Sequence, residues 1–223
     1  MDRSWRVLNL MVALALTFPS FAAAQSVAGN ASGIFQGSTD IGATQKGSTA
    51  YDPATDRYRI TGGGADMWGT ADAFRFSWMR LSGDASITAD VHFDSSSPVP
   101  LEKGVLIFRE SLDPASAYAD VAIHGDGHIT LQYRKSSGAA TADQTSTVHG
   151  SVRIRIERKG NQFTGYAQST DGKMIAFGST TIALQDPVYV GLGVCSHNQA
   201  GVSTVTFSQV NIEQGTRSTT GRK

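Results

Sequence analysis

The feature that most constrains this chain is a period of two. Val188, Val190, Leu192 and Val194 alternate with Tyr189, Gly191, Gly193, Cys195 and then His197, and the same rhythm recurs from Ile87 to Phe93, Ala117 to His124 and Ile129 to Arg134. Successive side chains of a strand point to opposite faces, so each run sends one file to a core and the other file away from it. Turn signals separate the runs: Asp52-Pro53, Ser82-Gly83-Asp84, Asp113-Pro114, Gly125-Asp126-Gly127, Lys159-Gly160-Asn161 and Asp171-Gly172. About a dozen such strands, with no helical pattern among them, predict an all-β sandwich or barrel.

The 223 residues suit one core of ordinary size, with no need of disulfide staples. Lys plus Arg and Asp plus Glu are balanced at 19 each, and no basic stripe is apparent, so nucleic acid is not an expected partner. The lone Cys195 cannot form an intramolecular disulfide and reads as a packed small hydrophobe.

The first residues read as an export signal. Arg3 and Arg6 precede an apolar run from Val7 to Phe18, and Ala22-Ala23-Ala24 offers a cleavage site. The run is shorter than the roughly 20 residues a spanning helix needs. The expected organisation is a signal peptide over 1–24, a flexible lead over 25–37, a sandwich over 38–213 and a disordered tail over 214–223. The mature chain is expected to lack a membrane span, to reach the periplasm or the exterior, and to be a monomer.

The stretch Gly62 to Trp78 ends one strand in three glycines, carries Asp66, Trp68 and Asp72 through a loop, and opens the next strand. Alternation there sets Phe74, Phe76 and Trp78 in the core, with Arg75 on the opposite face. Lys103 to Glu110 is apolar on both files until Arg109, which predicts a central strand covered on both sides.

The motifs Gly64-Ala65-Asp66-Met67-Trp68-Gly69-Thr70-Ala71-Asp72-Ala73-Phe74, Gly104 to Ser111, Ala117 to Val121 and Val190 to Val194 resemble a bacterial family of concanavalin A-like lectin/glucanase sandwiches. That family is related to the regulation of enolase protein-like domain and is sometimes labelled as Tol-type biopolymer transport proteins. The resemblance implies two antiparallel sheets in a jelly roll, one with a concave face on which relatives bind sugars.

The polar files converge on such a face: Arg75, Arg109, Asp120 and His124, Gln132 and Arg134, and His197, with Trp68 at the rim. Carboxylate, imidazole, amide and guanidinium groups together donate to and accept from hydroxyls, which suits a carbohydrate or another polyhydroxylated ligand. Ala122, Gly191 and Gly193 would leave a shallow trough among them. The competing account is a solvated face whose residues merely pair across strands. Asp66 and Asp72 could hold Ca²⁺, against the commoner role of capping turns; no other cofactor is expected. His124 and His128, four apart across a turn, are a weak metal pair.

Enzyme chemistry is the rival class. The Glu-x-Asp-x-x-Glu strand of glycanases with this fold has no counterpart among Glu102, Glu110, Glu157 and Glu213, and no Gly-x-Ser-x-Gly elbow occurs. A lyase using Tyr118, His124 and Arg134 would need only a base and a charge neutraliser. The leading expectation is a non-enzymatic lectin-like domain, with a structural or protein-interaction module as third alternative.

Overall fold

The structure, a computed structural model, describes Met1 and residues 32–215. The rest of the expected signal peptide, residues 25–31 of the lead and 216–223 of the tail lie outside the described residues.

The alternating runs become strands β1 (Gly37–Ile41), β2 (Ser48–Asp52), β3 (Arg57–Gly64), β4 (Met67–Trp68), β5 (Ala71–Asp72), β6 (Phe74–Leu81), β7 (Ala85–Phe93) and β8 (Lys103–Arg109). They continue as β9 (Tyr118–His124), β10 (Ile129–Arg134), β11 (Ala142–Thr145), β12 (Arg153–Lys159), β13 (Gln162–Gln168), β14 (Met174–Thr181), β15 (Val188–Cys195) and β16 (Asn198–Gln214). Sheet A has the order β1-β6-β15-β8-β9-β10-β11 and sheet B the order β14-β13-β12-β7-β16-β3-β2, while β4 and β5 pair as a separate ribbon. Neighbours are antiparallel throughout. The chain is thus an all-β, two-sheet jelly-roll sandwich of the concanavalin A-like kind. Among the described residues no helix is long and apolar enough to cross a membrane.

The core fills the space between the sheets. Leu106 and Phe108 of β8, Val121 of β9, Leu131 of β10 and Val190 and Leu192 of β15 meet Ile87 and Val91 of β7, Ile156 of β12, Phe163 of β13 and Phe207 of β16. Each such side chain removed from water contributes about 1.5–3 kcal/mol. The β2–β3 and β9–β10 hairpins form where the Asp52-Pro53 and Gly125-Asp126-Gly127 turns predict them, with Asp52 paired to Arg57 and Ile123 to Ile129.

Packing begins before Ser38. Phe35 is buried edge-on against Tyr58 with ring centroids 5.0 Å apart, and the Ile34 amide donates to the Tyr58 hydroxyl at 2.9 Å.

The expectation for β6 is corrected. Phe74 and Phe76 belong to a second apolar cluster on the outer face of sheet A, with Trp78 packed against it, and Arg75 points between the sheets. Arg75 Nη1 lies 3.3 Å from Asp40 Oδ1, its Nη2 donates to Ser38 Oγ at 2.7 Å, and neighbouring Ser77 Oγ meets Thr49 Oγ1 of sheet B at 2.8 Å. Alternation gives two files but not their direction when both faces of a strand are covered. β11 is also absent from the sequence reading. Its residues are mostly exposed, so it has no apolar file and is held by backbone pairing to β10.

Candidate functional site

The polar files expected of β9 and β10 lie on the outer face of sheet A, beside a file from β8 that ends in Arg109; Arg75 is not among them. β8 sends out Lys103, Val105, Ile107 and Arg109, β9 sends Tyr118, Asp120, Ala122 and His124, and β10 sends Thr130, Gln132 and Arg134. A bare sheet face would leave these side chains wet, yet all of them are buried. The chain from Gly64 to Asp72, including the β4–β5 ribbon, lies over them: Met67 is wholly buried against Phe74, Phe76, Val105, Ile107 and Tyr118. The expected shallow trough is therefore filled. At Gly193 a Cβ would lie 2.7 Å from Val105 Cγ2 and 2.9 Å from Phe74 Cδ2, so the missing side chain makes room for the Phe74 ring rather than for a ligand.

Three charges pin this roof. Asp72 Oδ2 accepts from Arg109 Nη1 at 2.5 Å and Arg134 Nη1 at 2.9 Å, and Asp72 Oδ1 accepts from Arg134 Nη2 at 2.7 Å. All three side chains are fully buried. Charges out of water are tolerated only when their remaining hydrogen-bonding capacity is met. Here Arg109 Nε donates to the Ser111 carbonyl at 2.9 Å, Arg134 Nε to that of Ala139 at 3.0 Å and Arg134 Nη1 to that of Ser116 at 3.1 Å. The two arginines expected at a ligand thus bind the roof and its neighbouring loops.

Asp120 lies under the roof, paired across the strands with Ile107 and Gln132. Neither of its carboxyl oxygens meets a hydrogen-bond partner. Burial pushes its pKa well above the usual carboxylate range, and nearby Asp72 adds to the rise. Lys103 and Arg109 pull the other way and lose.

Beside the ribbon the face opens into a cleft of about 280 Å³ lined by Asp66, Trp68, Leu101, Lys103, His124, His128, Thr130, Gln132, Asp143 and His197. Trp68, at 41% exposure, presents its indole at the rim. The His124 and His128 rings stack with centroids 3.7 Å apart and planes 16° apart. Asp126 Oδ1 orients His128 through Nδ1 at 2.5 Å, and His124 Nε2 meets Thr130 Oγ1 at 3.1 Å. Burial, then the charges of His128 and Lys103, lowers the His124 pKa to about 3, so the ring is neutral. Its Nδ1 has no hydrogen-bond partner, and neither has Gln132 Oε1. Lys103 donates to Asp66 Oδ1, while His197 Nε2 stands 3.5 Å from Asp66 Oδ2.

Of the residues expected at the site, His124, Gln132, His197 and Trp68 meet in this cleft. Arg109, Asp120 and Arg134 share the face but lie beneath the roof, and Arg75 is on the other side of the sheet. Lys103, His128, Thr130 and Asp143 were missed as site residues. Lys103 was within reach of the same reasoning, since it opens the file that ends in Arg109. The carboxylates a loop Ca²⁺ would use already face cations, Asp66 meeting Lys103 and Asp72 the two arginines. Among the described residues no group of three or more His, Cys, Asp or Glu side chains is arranged to hold a metal ion. Cys195 is packed as expected, and burial raises its thiol to about 11.

No family model matches the chain, and no curated protein does. Solved structures do. A functionally unknown protein from Saccharomyces cerevisiae superposes with a TM-score of 0.59 at 15% identity, over 80% of this chain and 97% of that one. Arcelin-5, a lectin-like defence protein from Phaseolus vulgaris, gives 0.51 at 10% identity, over 79% and 96%. Rv0315 of Mycobacterium tuberculosis, an immunostimulatory antigen and pseudo β-1,3-glucanase, gives 0.50 at 12% identity, over 75% and 78%. The likeness is one of fold.

Proposed function

We propose that this chain is an exported, monomeric, lectin-like domain that binds a carbohydrate or a closely similar polyhydroxylated ligand without transforming it. One observation carries the reading: an exposed indole stands at the mouth of a cleft lined by the polar side chains of Asp66, Lys103, His124, His128, Gln132 and His197. Such a set can both donate to and accept from ligand hydroxyls. The indole supplies an apolar face for a sugar ring. The sandwich fold, shared with a lectin-like protein and with a pseudo-glucanase, is consistent with this use. On the motif from Gly64 to Phe74 we also propose kinship with the regulation of enolase protein-like domain.

The lyase alternative loses two of its three residues. The Tyr118 hydroxyl is buried at 3.3 Å from Thr141 Oγ1, its pKa raised well above 10 chiefly by burial, and Arg134 is committed to Asp72.

A glycan array followed by calorimetry tests the proposal. The chain should bind at least one glycan class and release no product from it. Trp68→Ala should lower affinity about tenfold, the equivalent of 1.4 kcal/mol. Unchanged affinity in Trp68→Ala, or turnover of the bound glycan, would overturn the reading.

A further inference from the structure

We infer that the cleft receives a free mono- or disaccharide, or the terminal units of a glycan, and not the interior of a polysaccharide laid across the sheet. This rests on the carbohydrate-binding reading above and adds the class of ligand.

A polymer crossing a concave sheet needs a furrow open at both ends, with strand after strand contributing exposed side chains. The outer face of sheet A does not offer one. Val105, Ile107, Tyr118 and Ala122 occupy the middle of that face and are wholly buried, although they point away from the inter-sheet core. What covers them is part of the chain's own packing. Met67 is inserted into the apolar cluster, and the ribbon ends in Asp72, which is held by Arg109 and Arg134. Lifting the ribbon to admit a chain would separate a buried carboxylate from two buried guanidinium groups and expose an apolar surface. The roof is therefore a fixed wall.

The remaining opening is small and bounded. Its volume of about 280 Å³ falls just below the roughly 300–1,000 Å³ typical of small-molecule sites. Asp66 and Trp68 of the ribbon segment form one side, with His128 stacked on His124 among the groups that line the rest. The ribbon blocks continuation across β8 and β15, so a bound sugar meets a wall in that direction. A ring beside Trp68 would set its hydroxyls among the polar groups that line the cleft.

Calorimetry with the full chain tests this against β-1,3-glucan, β-1,4-xylan and alginate, each supplied as disaccharide, hexasaccharide and polymer. For the class that binds, the disaccharide should match the hexasaccharide within about twofold. Protein bound per gram of polymer should rise in proportion to chain ends when the polymer is fragmented. Trp68→Ala should weaken disaccharide and hexasaccharide by the same factor. Binding of hexasaccharide and polymer without the disaccharide overturns the inference and leaves the lectin-like reading standing. Polymer binding that is indifferent to Trp68→Ala also overturns it. Failure of every length in all three classes, with no glycan bound on the array, removes both.

Discussion

Asp120 and His124 are four residues apart, two steps along one file of β9, and burial shifts them in opposite directions. Asp120 has a folded pKa above its unfolded value near 3.8, so the native state binds the extra proton. Its ionisation therefore erodes stability as pH rises above about 4, and the effect vanishes below that, where both states are protonated. His124 has a folded pKa of about 3 against 6.5 unfolded, so it erodes stability as pH falls through that interval. Asp120→Asn should consequently raise the melting temperature at pH 7 and lose its advantage below pH 4, while the acid limb set by His124 persists. Each kcal/mol of relief would read as about 2–4 °C in a domain of this size. Calorimetric melts of both proteins from pH 3 to 8 check it; an advantage that does not change with pH would mean Asp120 is ionised in the fold. That Asp120 is on the outer file was legible from alternation with Val121 and Ile123. Its inaccessibility was not, because the residues that cover it come from a loop whose path no local pattern encodes.

At the scale of elements, the β9–β10 hairpin and β15 were readable because one face of each meets a core of Val, Ile and Leu while a Gly- or Pro-marked turn fixes the register. β6 was misdirected because its outward aromatics are as buried as core residues, covered by a ribbon of two-residue strands too short to leave a periodic trace. The ribbon's dependence on buried charge can be measured. Removing one partner of a buried ion pair costs about 3–5 kcal/mol, whereas a partly exposed pair contributes about 0–1 kcal/mol. Arg134→Met should therefore destabilise the chain far more than Arg75→Met in urea titrations. It should also speed amide hydrogen exchange at Asp72, Ala73 and Thr141, whose amides donate to the carbonyls of Pro114, Asp66 and Gly69. Equal losses in the two variants would mean that Asp72 does not pin the ribbon.

For the whole molecule, the two-sheet architecture followed from strand count and turn spacing, whereas the order of strands within the sheets did not, because pairing partners are distant in sequence. The last two strands are the case in point. β15 lies between β6 and β8 in sheet A, and β16 lies between β7 and β3 in sheet B. Truncation after Asp186 would remove the strand that joins the two parts of each sheet. Such a chain should show no cooperative melt by calorimetry; a cooperative transition would show that one sheet can close without its central strand. This placement also sets a schedule. An emerging chain holds the β2–β3 hairpin and the β8–β9–β10 meander long before it holds what connects them, so closure of either sheet waits for the final stretch of synthesis and is slow by its long-range contacts. A polypeptide that cannot complete itself early stays threadable for longer, which is the form that the export proposed for this chain would require.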